Sequence, residues 1–475
     1  MNNASQSLPH VRPLPRDFSI VDAFSRLSSL PGCLWLDSAS RGPIQSKKDP
    51  VGRYSFLTAD PIETLTPSID DCDPWPMLDK WCRALPSDCD TALPPFQGGI
   101  AGLIGYEAAT WLEPVGIAHN NDLPTPAMSL GLYDWTIAID HQTRQSWIIS
   151  QGFTSDESTG SDRLERAINR ADQIELLIGS ETSSFPSQPP CDPDLTVHQH
   201  ATDRKGVVSN FTSEEYRESV AEIVQLIRRG DSFQVNLAQR LLTAAGMPSA
   251  ELYLRLRDAN PAPFGAYFGG DGFEVLSSSP EGFLRARDRQ VETRPIKGTV
   301  PRTGNEDHDR RLAETLSNSQ KDRAENIMIV DLMRNDLSRV CTDDSVHVTQ
   351  LCEIERYEYV QHLVSVVEGE LRDDKNVVDL LRACFPGGSV TGAPKIEAMR
   401  TIARLEPNPR GPYCGSIGYI SSGDAADFNI LIRTITAADG YWQIPVGGGI
   451  TAQSDPAAEE AETWAKAEGM LRAIL

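Results

Sequence analysis

The chain has 475 residues, 40% hydrophobic and 23% charged, an ordinary balance for a soluble globular protein long enough for two or three domains. With 67 acidic against 44 basic residues the net charge is -23, which argues against a nucleic-acid backbone or an anionic membrane surface as the main partner. An anionic small molecule stays compatible with it, because a local cluster of Arg, Lys or a metal ion can reverse the potential inside a cleft. From the N-terminus, residues 1–178 mix short strand-like runs (Cys33 to Leu36, Tyr54 to Leu57, Trp135 to Ile139) with turns rich in Pro, Gly and Asp, and Arg163 to Leu177 has helical spacing. Residues 179–208, rich in Ser, Thr, Pro and Asp, read as a linker or surface excursion. Residues 209–475 then restart clearly. Thr212 and Glu215 form a capping box, and the helix it opens stops at Gly230. Strands are predicted at Phe233 to Leu237, Phe264 to Phe268, Phe273 to Ser277 and Gln290 to Thr293, then helices at Asp307 to Gln320 and Asp322 to Asn335. The last third alternates strands with helices and ends in a helix from Pro456 to Leu475. Strands that cluster rather than alternate strictly with helices predict an α+β fold with antiparallel sheets.

The nine cysteines are scattered and form no Cys-x-x-Cys pair, no apolar run is long enough to span a bilayer, and the polar N-terminus carries no signal-like segment. Reduced thiols in a cytoplasmic protein are expected.

Several residues could carry chemistry. Lys297, in Arg-Pro-Ile-Lys-Gly-Thr at 294–299, is either a solvated charge or a nucleophile. Asp322 with Glu325, and Glu459 with Glu462, are spaced by three, so each pair shares a helix face. Were the two faces to meet, four carboxylates would surround a hard cation such as Mg²⁺. From spacing alone a solvated surface is the weightier reading, and Glu462 with Lys466 reads as an ordinary exposed pair. Gly387 and Gly392 are spaced as in a phosphate loop, but Ala393 stands where that motif needs lysine, so nucleotide binding is disfavoured. Gly447, Gly448 and Gly449 read as backbone N–H groups offered to a carboxylate or water, or as a glycine-rich bend in a strand. Arg433, in an apolar strand-like run, is a buried ion pair or a clamp on a substrate carboxylate. His362 lies in an apolar strand, where a core role is common. Glu281 is a turn acid or, if shielded, a general acid.

These segments then join. SSSPEGF, RPIKGT, KDRAENIMIVDLMRND, QHLVS, PGGSVTGAPK, YCGSIGY, FNILIRT, VGGGI and DPAAEEAET occur in that order. Together they resemble the chorismate-utilising enzymes, densely over residues 209–475. LWLDSAS, GRYSFLTADP and GGIAGLIGYE extend the likeness more weakly into the first half. The resemblance implies two large antiparallel sheets packed as a sandwich with helices outside. It implies Mg²⁺ held by Glu325 and Glu462, with Asp322 and Glu459 acting through water, and chorismate as the ligand. It places Gly298, Thr299 and Thr391 beside the substrate, Tyr413 and Arg433 on its enolpyruvyl carboxylate, and the amides of Gly447 to Gly449 at its ring carboxylate. Glu281 matches the acid near the C4 hydroxyl and His362 a histidine near the ring.

Two positions separate the family's branches. Gln234 stands where the water-adding members carry a lysine base. Lys297 stands where anthranilate synthases read alanine, and this resembles the branch that aminates chorismate at C4. The implied mechanism makes Lys297 a covalent nucleophile at C2. No cysteine lies in a Gly-x-Cys-x-Gly elbow, so ammonia is expected from a separate glutamine amidotransferase subunit in a heterodimer. LWLDSAS and Asn260 to Phe264 resemble the family's tryptophan-binding parts, which implies a candidate tryptophan pocket in the N-terminal region.

Overall fold

The computed structural model describes residues 8–39, 51–154, 162–180, 185–196 and 198–474. Its strands form two antiparallel sheets of thirteen and ten strands. In the larger, strands His10–Pro13, Gln145–Ser150, Trp135–Asp140, Tyr54–Thr58 and Leu34–Asp37 continue through Phe264–Gly269, Phe273–Ser279 and Thr434–Ala438 to Tyr441–Ile450 and Gln234–Ala244. In the smaller, Ile296–Pro301 and Val360–Glu370 lie at one end, and Gly99–Ile104 and Met128–Tyr133 towards the other. Residues on both sides of the 179–208 stretch thus supply strands to each sheet.

The sheets pack face to face. Phe56, Phe268 and Val275 of the larger meet Leu103, Ile417 and Tyr419 of the smaller in one buried cluster. Helices cover both outer faces: Ile20–Leu27, Ser249–Ala259 and Pro456–Ile474 on the larger sheet, Gln320–Ser338 and Val377–Cys384 on the smaller. Because inner strands are covered on both sides, Gly99–Ile104 and Met128–Tyr133 are buried at every residue and show no polar alternation. The expected α+β sandwich with outer helices is the fold observed.

Local rules account for the helix ends. Thr212 and Glu215 cap Ser213–Arg229 reciprocally, and Gly230 ends it at φ +90°. Ser319 caps Gln320–Ser338 by accepting from Asp322 N. The two helices expected at 307–320 and 322–335 are Glu306–Ser317 and Gln320–Ser338. The strand expected at 233–237 runs further, Gln234–Ala244. No helix among the described residues is long and apolar enough to cross a membrane.

Candidate active site

A cleft of about 610 Å³ is walled by strands of both sheets and by the helices Gln320–Ser338 and Pro456–Ile474. It brings together every site residue expected from the sequence except Thr391. Thr391 is fully buried behind the wall, its hydroxyl donating to Gly387 O at 3.1 Å.

Lys297 reaches the cleft because its strand is irregular. Ile296 pairs with Val364 and Thr299 with His362, so Ile296–Pro301 carries one extra residue there. Such a bulge re-aims a side chain, and Gly298 supplies the left-handed turn it needs at φ +81°. A β-carbon at Gly298 would also lie 2.6 Å from Leu316 Cδ1. The residue Lys297 is half-buried, but its amine end is enclosed and donates to Ser389 O at 3.3 Å. Burial lowers its pKa, opposed in part by the charges of Glu325 and Glu281.

Glu281 follows the strand Phe273–Ser279 and is 4% exposed. Burial pushes its pKa up to about 7, with the Ser389 hydroxyl and the Lys297 charge pulling the other way. That hydroxyl approaches the carboxyl without completing a well-formed hydrogen bond. A shielded acid, rather than a turn acid, is what the chain has built. His362 is also buried; desolvation and then Arg433 bring its pKa down to about 4, so the ring is neutral near pH 7. Its Nδ1 lies 2.8 Å from Thr299 Oγ1.

Arg433 departs from the strand expected around it. It sits in a bend between Ala426–Asn429 of the smaller sheet and Thr434–Ala438 of the larger, with φ +53°. The apolar alternation of Asn429 to Thr434 marks a crossing between the sheets, where successive residues turn to different cores. No hydrogen bond or ion pair of its guanidinium is seen among the described residues, and that group lines the cleft beside Tyr413. Burial lowers its pKa.

The glycine run is regular strand rather than a bend. Gly447, Gly448 and Gly449 pair with Ala238, Leu237 and Asn236 on one edge. The other edge is paired only over Tyr441 to Gln443, so beyond that point it stands open among the described residues, at the cleft. Gly448 faces the terminal helix: a β-carbon there would lie 3.3 Å from Lys466 Nζ and 3.5 Å from both Glu459 Oε2 and Glu462 Oε1.

Those two carboxylates, with Asp322 and Glu325 from the other helix, form the acidic end of the cleft. Burial raises Glu325 and Glu459, and their neighbouring carboxylates add to it. For Glu462 the charge and hydrogen bond of Lys466 outweigh burial and hold its pKa low. Glu325 Oε1 is buried with no hydrogen-bond partner, and the nearest amine, Lys321 Nζ, is 3.9 Å away. An orphaned carboxylate oxygen facing further carboxylates suits a hard cation. No three of the described His, Cys, Asp or Glu side chains already close into a ligand cage.

Sequence reasoning missed Asn236, Ser389, Arg410, Lys321 and Lys466, all of which line the cleft. Lys466 does pair with Glu462, at 2.7 Å, but its amine also donates to Gly447 O at 2.7 Å. The helical spacing was visible; that this face looks into a cleft was not. A second, smaller cavity of about 90 Å³ lies between the sheets, and Leu36 to Ser38 and Pro263 to Phe264, the segments likened to tryptophan-binding parts, line it together.

An amine, a shielded acid, a cation clamp and a carboxylate cluster facing one another across a sandwich define an enzyme for a small anionic substrate. The chain belongs to the chorismate binding enzyme family, whose model matches residues 38–472. Among its relatives, aminodeoxychorismate synthase component 1 of Salmonella typhimurium is 38% identical, with 90% of each chain covered. Anthranilate synthase component 1 of Streptomyces coelicolor is also 38% identical, over 80% of this chain and 74% of that protein. Among solved structures, anthranilate synthase component I from Streptococcus pneumoniae superposes with a TM-score of 0.75 at 29% identity, covering 90% of this chain and 94% of that one.

Proposed function

We propose that this enzyme aminates chorismate at C4, giving 4-amino-4-deoxychorismate for 4-aminobenzoate and folate synthesis, as an aminodeoxychorismate synthase component I. The observation that carries this reading is the enclosed Lys297 amine set beside the buried acid Glu281. Burial favours the neutral amine, the form that attacks. Lys297 Nζ bonds to C2 as the ring double bonds shift and the C4–O bond breaks, and Glu281 protonates the departing hydroxyl, which leaves as water. Ammonia then attacks C4, the shift reverses, the C2–N bond breaks and Lys297 is released, with the enolpyruvyl group retained. Arg433 and Tyr413 hold the enolpyruvyl carboxylate, and the open edge at Gly447 to Gly449 receives the ring carboxylate. Neutral His362, fixed by Thr299, packs beside the ring.

Glu325 and Glu462, with Asp322 and Glu459 behind them, would hold Mg²⁺. The bound cation supplies charge neutralisation for a dianionic substrate in an acidic protein.

Ammonia would come from a separate glutaminase subunit. Six of the nine cysteines are buried, and the one in the cleft wall, Cys414, has its pKa pushed up to about 12 by burial, a poor nucleophile. The purified chain is therefore expected to use ammonium far better than glutamine. Equal use of both would overturn the two-subunit reading. Tryptophan is the ligand we assign to the small cavity between the sheets, and calorimetry with the free amino acid tests that assignment.

The deciding experiment supplies chorismate, Mg²⁺ and ammonium and identifies the product by mass spectrometry. Aminodeoxychorismate, formed through a chain-bound adduct of chorismate less water that Lys297→Ala abolishes, is the expected outcome. Direct release of anthranilate would assign the chain instead to the anthranilate synthase branch of its relatives.

A further inference from the structure

Arg410 is a buried cation to which the proposed chemistry gives no task. Its Nη2 and Nε donate to the two carboxylate oxygens of Glu406 at 2.6 and 2.9 Å. The remaining donors leave the pair: Nη1 reaches Val390 O at 2.9 Å and Nη2 reaches Asn236 O at 3.2 Å. The guanidinium lies 4.7 Å from the Tyr106 ring centre, and Glu406 Oε1 also accepts from Ala238 N at 2.9 Å. A buried ion pair returns little net stability against its desolvation, so its hydrogen bonds to two other segments, the Val390 turn and the strand Gln234–Ala244, call for a different account. Only a planar fork can reach a carboxylate and two carbonyls at once.

Those carbonyls flank the anchor of the reacting amine. Ser389 O accepts from Lys297 Nζ at 3.3 Å and from Asn236 Nδ2 at 3.1 Å. The Ser389 hydroxyl lies against the Glu281 carboxyl. One turn, Ser389–Val390, therefore meets the amine with its carbonyl and the acid with its hydroxyl, and Arg410 grips that turn from behind.

We infer that Arg410, held by Glu406, is a positioning residue that sets the Lys297 amine and the Glu281 carboxyl relative to each other through the Ser389–Val390 turn and Asn236. The inference rests on the proposed role of Lys297. The test uses the full chain with chorismate and Mg²⁺, following adduct formation by mass spectrometry without ammonia and steady-state rates with ammonium. Arg410→Lys and Asn236→Ala are expected to slow adduct formation and lower kcat by between about 10- and 100-fold, as a small misplacement of reacting groups does. KM for chorismate should stay within about threefold, since the interaction acts after binding. The acid limb of the pH profile should move to higher pH, because a Lys297 amine loosened from its enclosure regains the ordinary lysine pKa and needs more alkali to become neutral. A purely structural pair would lower thermal stability and leave adduct rate and acid limb where they are, and that result overturns the inference. Asn236→Ala leaves the ion pair intact and decides the question alone should Arg410→Lys not fold. If the wild-type chain forms no adduct, the Lys297 reading itself falls, a failure distinct from an adduct that forms equally fast in the variants.

Discussion

Glu281 is a group whose burial costs the fold stability once its carboxyl is ionised. Its folded pKa, about 7, lies above the value near 4.3 of an unfolded glutamic acid. The folded chain thus binds the proton more tightly. Its favourable contribution is complete below the unfolded pKa, shrinks as pH rises through that window, and is gone above pH 7. Glu281→Gln should therefore be more stable than wild type at pH 8, by on the order of 3 kcal/mol, and match it near pH 4. Thermal denaturation at the two pH values checks this. If Glu281 is the acid, adduct formation by the wild type is expected to fall above about pH 7 as the carboxyl loses its proton, and the same substitution should flatten that alkaline limb. An unchanged alkaline limb would assign that titration to another group. His362 behaves oppositely. With a folded value of about 4 it stays neutral, and its ring resonances should not titrate between pH 6 and 8.

The acidic end of the cleft is a product of two helices, each supplying one face. Glu325→Gln and Glu462→Gln sit on different helices, and each should weaken Mg²⁺ binding by about tenfold or more while leaving the far-ultraviolet helix signal unchanged. Isothermal titration with Mg²⁺ alone measures it, and wild-type affinity in both variants would mean these carboxylates do not hold the ion. How far such elements can be read from sequence varies with where their partners lie. The helix Ser213–Arg229 was legible at both ends because its capping box and terminal glycine act within a few residues. The strand Gln234–Ala244 was seen only as far as Leu237, since Gln239 and Arg240 look like surface residues. In the fold they are buried, and their partners are distant: Thr463 for Gln239, Asp122 for Arg240. Arg433 was misplaced in a strand for a related reason, as alternation cannot distinguish one sheet's two faces from two sheets' cores. The site's charged residues were found through the family resemblance. Ser389 and Arg410 escaped because their hydrogen bonds at the cleft run to backbone carbonyls, which no side-chain pattern records.

At the scale of the molecule, the sheets do not respect the order of the chain. Leu34–Asp37 pairs with Phe264–Gly269, and Gly99–Ile104 with Ser416–Ser421. A fragment of residues 209–475 would retain the cleft-lining residues yet expose two sheet edges and half of the core between the sheets. Such a fragment should lack cooperative thermal unfolding and bind no chorismate, whereas the full chain should unfold in one transition by calorimetry. Independent folding of the fragment would show that the shared sheets are dispensable.

Arg433 stands where the chain leaves one sheet for the other, its backbone held in a left-handed turn that a side-chain-bearing residue adopts only under constraint. This cleft-lining cation is thus in place only when both sheets have docked. A folding intermediate with a single sheet formed would be blind to chorismate, and the ligand would act as a latch on the finished sandwich, slowing its opening without hastening its assembly.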